Sequence, residues 1–144
     1  WGGDMEKTPD AFALHVTQMV SLIRQRTGAF LIILFGSYAK GLARGDSDID
    51  IAYAGEQTLS AYDNFMLAQE LAVLLGRDVD LLDLSQASTV MKAQIVAYGK
   101  VVFCSDEGKR QYLYMRALKE YATLHEERAV IVDSITYRGA VYAD

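Results

Sequence analysis

The chain has 144 residues, 51% of them hydrophobic and 23% charged, which suits an ordinary folded domain around one modest core. Its net charge of −5 sets 19 acids against 14 scattered lysines and arginines, with no basic face of the kind that grips nucleic acid, so nucleic acid is disfavoured as the main partner. No apolar run approaches the ~20 residues of a membrane span, and the sole cysteine, Cys104, excludes an internal disulfide framework and favours a reduced, cytoplasmic setting. Residues 1–4 stand before Met5 and are set aside as an artificial addition, leaving residues 5–144 as a single domain.

Thr8-Pro9 reads as a helix N-cap followed by proline at the first helical position. Phe12, Val16, Met19, Val20 and Ile23 then recur at helical spacing, predicting a helix to about Arg26 with Gly28 ending it. Residues 30–35 are a wholly apolar run of strand length between glycines, hence a buried strand. Residues 37–43 leave room for a short helix, and Gly45-Asp46 for the turn into a second strand over 48–54. Leu59, Tyr62, Phe65, Met66, Leu71, Leu74 and Leu75 predict a helix from Thr58 that stops at Gly76. A third strand over 79–84, a helix capped by Ser85 or Ser88 and closed by Gly99, and a short strand over 101–103 follow. Ser105-Asp106-Glu107 places a cap and two acids at the start of a final helix reaching about Val132. Tyr112, Tyr114 and Tyr121, with Leu113, Leu118 and Leu124, are expected mostly in the core. The apolar tail over 129–142 either folds back or docks a partner. The sum is an α/β (α+β) domain, one small sheet flanked by helices.

Asp48 and Asp50 interrupt the second strand where Val or Ile would ordinarily stand. Residues two apart in a strand share a face, so these carboxylates repel each other unless a cation lies between them. An all-oxygen pair of this kind suits Mg²⁺, which takes one or two carboxylates together with water and substrate phosphates. Gly36 directly follows the first strand and opens the short helix, where unpaired backbone N–H groups favour a phosphate. Ser37 adds a hydroxyl there, and Lys40 and Arg44, one and two turns on, add positive charge. A third carboxylate would complete a two-metal centre for transfer from a nucleoside triphosphate. Asp78, Asp80 and Asp83 are available in RDVDLLDL. Asp80, inside the apolar run, is the choice, as metal ligand and proton acceptor.

Each part also has a plainer reading. A lone Gly-Ser is a turn and a lone D-x-D a surface pair; the two together at this spacing are not. Asp80 could instead pair with Arg77, and Lys40 and Arg44 could simply be solvated. His15 and His125 lack metal-ligand spacing, and Cys104 fits a small buried hydrophobe at a strand end.

With Gly36, Ser37, Asp48 and Asp50 spaced as GS-x10-D-x-D, the chain resembles the DNA polymerase β-like nucleotidyltransferases. The run GSYAKGLARGDSDIDI is similar to the minimal nucleotidyltransferases, the MntA-like antitoxins of HEPN-domain ribonuclease toxins, and the resemblance covers nearly all of residues 8–142. It implies a mixed sheet, dependence on Mg²⁺, and transfer of AMP from ATP, in the antitoxin branch to a tyrosine hydroxyl of the toxin. One departure is Lys40, where the commonest family wording has Arg; Lys keeps the charge and loses bidentate phosphate geometry. The alternatives are a small-molecule nucleotidyltransferase of the aminoglycoside type and an antitoxin that acts by binding alone.

Overall fold

The computed structural model of the protein describes residues 9–36 and 48–142, with side chains from 14 to 36 and from 48 to 128. Helix α1 spans Pro9–Thr27 and buries Met19 and Ile23. It ends where Gly28 turns to φ 64° and donates its N–H to the Arg24 carbonyl at 2.9 Å. The Thr27 hydroxyl, fully buried, donates to the Ile23 carbonyl at 2.7 Å and accepts from the Ala29 N–H at 3.1 Å, which aims the chain into the sheet.

Strands β1 (Ala29–Phe35) and β2 (Ile49–Gly55) follow, then helix α2 (Ala61–Leu75). Ser60 caps α2 by accepting the Asp63 N–H, and Gly76 closes it in the left-handed conformation. Strand β3 (Val79–Asp83) runs into a single 3-10 turn, Leu84–Gln86. Helix α3 (Thr89–Tyr98), capped by Ser88, strand β4 (Lys100–Cys104) and helix α4 (Glu107–Tyr142) complete the chain. No helix among the described residues is long and apolar enough to cross a membrane.

The sheet order is β3-β2-β1-β4, with β1 antiparallel to β2 and β4 and β2 parallel to β3. It is therefore mixed. Helices cover both faces, which is why β1 reads AFLIILF without alternation. On one face Ile32, Leu34, Ile51, Tyr53 and Leu81 pack with Met19 and Ile23 of α1 and Leu67 and Leu71 of α2. On the other, Leu31, Ile33, Ala52 and Ala54 meet Ile95 of α3 and Leu113 and Tyr114 of α4.

Apart from the 3-10 turn, which the sequence does not announce, the described elements match the sequence expectations in order and type, with two differences near the C-terminus. Helix α4 reaches Tyr142 instead of about Val132, so the tail continues the helix and does not fold back. At 1.5 Å per residue its 36 residues span about 54 Å, more than the sheet can cover. The tyrosine stripe expected in the core is therefore largely solvated. Tyr112, Leu118 and Tyr121 are exposed, and only Leu113, Tyr114 and Leu124 are partly buried. The short helix over 37–43 lies outside the described residues.

Candidate active site

The site grows from strand register. Phe35 at the end of β1 lies opposite Asp50 near the start of β2, and Asp50 lies opposite Asp80 of β3. Neighbouring residues in register share a face, so both carboxylates project from the side on which Ala52 and Ala54 meet α3. Asp48, two residues before Asp50, is exposed just ahead of the strand.

Asp50 carries the electrostatic signature of this crowding. Its carboxyl is pushed above the ordinary carboxylate range, first by burial and then by the negative charges of Asp80 and Asp48. Asp50 therefore senses both of the other acids. Among the described residues no three His, Cys, Asp or Glu side chains converge into a ready-made metal cage. A hard cation that keeps water and takes phosphate oxygens does not require one.

Gly36 joins β1 to this cluster. Its φ of +68° lies in the left-handed region that glycine adopts readily. A Cβ built there would strike the Asp50 carboxylate. Glycine is thus needed twice, for its backbone angle and for the close approach of the chain to Asp50. Sequence reasoning anticipated a close approach to phosphate; the contact with Asp50 is an addition that no local pattern signals.

The structure also separates the three acids of β3. Asp83 is 9% exposed and is consumed by the turn that follows, accepting from the Ser85 N–H at 2.9 Å and the Ser85 hydroxyl at 2.8 Å. Asp78 is exposed ahead of the strand, and its backbone carbonyl accepts the Ile49 N–H. Asp80 alone of the three lies opposite Asp50. Ser37, Lys40 and Arg44 lie outside the described residues. His125 is exposed and stacked on Tyr121, and Cys104 is partly buried at the end of β4.

The model of the polymerase β nucleotidyltransferase family matches residues 17–108. The protein adenylyltransferase MntA of Shewanella oneidensis is 36% identical over 131 residues, covering 90% of this chain and 94% of the relative. A shorter match, 42% identical over 59 residues, links the chain to the protein adenylyltransferase MntA of Thermococcus cleftensis. Among solved structures, a toxin–antitoxin with AMP-PNP superposes with a TM-score of 0.75 at 36% identity, covering 84% of this chain and 98% of the other. The complex of tri-AMPylated Shewanella oneidensis HEPN toxin with MNT antitoxin superposes at 0.71 and 35% identity, covering 85% and 97%. With the family match spanning most of the chain and the Shewanella oneidensis relative matched nearly end to end, this chain belongs to the polymerase β nucleotidyltransferase family, among its minimal, MntA-like members.

Proposed function

We propose that the protein transfers AMP from ATP to a tyrosine hydroxyl of a cognate HEPN-domain ribonuclease toxin in the cytoplasm, and so neutralises it. The observation that carries this reading is the in-register pair Asp50–Asp80 directly beside the left-handed Gly36. The MntA relatives named as protein adenylyltransferases, and the AMPylated toxin bound to one antitoxin, support the choice of donor group and partner.

The acids fit Mg²⁺: all donors are carboxylate oxygens, and the charges of described residues that act on the Asp50 carboxyl, those of Asp80 and Asp48, are both negative. Asp48, Asp50 and Asp80 would hold the ion or ions, which supply charge neutralisation at the phosphates and activation of the attacking oxygen. The chain's own groups do the rest. The backbone at Gly36, with Ser37, Lys40 and Arg44, holds the phosphates and orients the α-phosphorus. Asp80 accepts the proton as the tyrosine oxygen bonds to phosphorus and the bond to diphosphate breaks. The partner brings the hydroxyl already oriented by its docked surface, so proximity supplies much of the rate.

Incubating the protein with Mg²⁺, each labelled triphosphate in turn and the HEPN-domain product of the neighbouring gene tests the reading. AMP should appear on a tyrosine of that protein, from ATP in preference to the other triphosphates. Label on a small polycation and none on protein would favour the aminoglycoside-type alternative.

A further inference from the structure

Strand β3, which carries Asp80, is a five-residue strand at the edge of the sheet, paired among the described residues with β2 alone. Its Asp78 carbonyl points toward β2, where it accepts the Ile49 N–H at 2.9 Å. Backbone groups alternate sides along a strand, so Asp80 and Leu82 also face β2, while Leu81 faces outward. The outward Leu81 carbonyl is not left to water. Asn64 of α2 donates its side-chain N–H to it at 2.9 Å. The Asn64 carbonyl oxygen in turn accepts the Tyr53 hydroxyl at 2.7 Å. Tyr53 is fully buried, and burial, aided by the charge of Asp83, pushes its hydroxyl up to about 12, so it stays a donor throughout the working range. Both ends of the Asn64 amide are thereby used, and turning it over would set two oxygens face to face.

The result is a clasp that runs from β2 through α2 to the free edge of β3, closing on the residue after Asp80. The Asp80 carboxylate is placed opposite Asp50 by the strand backbone that carries it. We propose that Asn64, held by Tyr53, is a positioning residue that fixes β3 so that the Asp80 carboxylate stays beside Asp50. This rests on the reading of Asp80 as a group that works in the transfer.

The cleanest perturbation is Asn64→Asp, which keeps the shape and can still accept from Tyr53 but offers the Leu81 carbonyl no donor. Nucleotide binding should be unaffected, because Gly36, Asp48 and Asp50 lie on the β1 and β2 side of the site. At saturating ATP, Mg²⁺ and acceptor protein, the rate per nucleotide-binding site should fall at least ~10-fold, the scale on which sub-ångström misplacement acts, while KM for ATP stays within about twofold. Tyr53→Phe, which keeps the packing and removes the hydroxyl, should show the same split with a smaller loss. In amide hydrogen exchange without acceptor, protection at Asp80 and Leu82 should drop while Ile32 and Leu34 of β1 keep theirs. An unchanged rate in Asn64→Asp overturns the proposal, and so does a parallel fall in nucleotide-binding stoichiometry and β1 protection, which would mark general damage. Asp80→Asn separates the two levels: parental transfer in that variant would sink the reading of Asp80 itself.

Discussion

Substituting Gly36 by alanine tests the join between the proposed phosphate cradle and the acids, and the structure contains its own control. Gly36 and Gly76 share a φ of +68°. At Gly76 a Cβ would meet nothing within 4 Å, whereas at Gly36 it would strike the Asp50 carboxylate. Gly76→Ala therefore isolates the backbone term, roughly 1 kcal/mol for placing an L-residue in the left-handed region. For a chain of this size that lowers Tm by about 4 °C. Gly36→Ala carries the same backbone term plus a collision with the end of a side chain, which can swing aside at little further cost in stability. Function is where the two variants should part. Moving the Asp50 carboxylate by about 1 Å is enough to cost ~100-fold in transfer. Thermal unfolding and labelled-AMP transfer on both variants make the comparison, with similar Tm values and activity lost only at Gly36. Parental activity in Gly36→Ala would refute the claim that the backbone here must lie against Asp50.

Asp50→Asn should abolish transfer yet raise stability without metal. A carboxyl held above its ordinary 3.8 penalises the folded state as pH climbs from about 4 through the raised value, so metal-free parent should lose stability over that window and Asp50→Asn should not; parallel melts against pH check this. Gly36→Val should damage transfer more than Ser37→Ala, which removes one hydroxyl contact, as nucleotide titrations and rates would reveal. Asp80→Asn should block transfer while still binding the toxin in a pull-down. Truncation after Val132 should do the reverse, weakening the complex while sparing slow transfer to excess acceptor.

Much of the sheet was legible because its signals are local. β1 sits between Gly28 and Gly36 as an unbroken apolar run, and Gly76 and Ser88 mark helix ends by their own hydrogen-bond chemistry, whereas the start of α2 lies at Ser60 and not at the expected Thr58. Asp48 and Asp50 stood out because carboxylates two apart in a buried strand conflict with burial. The choice among Asp78, Asp80 and Asp83 depends on register between β2 and β3, which is a tertiary fact, although the position of Asp80 within the apolar run singles out the residue that register sets opposite Asp50. The exposure of Tyr112 and Tyr121 was not legible, since a helical stripe of aromatics looks the same whether or not a neighbour covers it. The Asn64 clasp was hidden for a related reason. An asparagine inside an apolar helix and a tyrosine inside a strand each look ordinary until the fold brings them to the same strand edge.

The most direct test of the central claim is the mass of the neighbouring HEPN-domain protein after incubation with ATP, Mg²⁺ and either the parent chain or Asp50→Asn. The account predicts one or more added AMP groups on tyrosine with the parent, none with the variant, and loss of toxin ribonuclease activity in step with the added mass. Full neutralisation by Asp50→Asn with no mass gained, at equal and limiting protein, would contradict it and leave an antitoxin that works by binding alone.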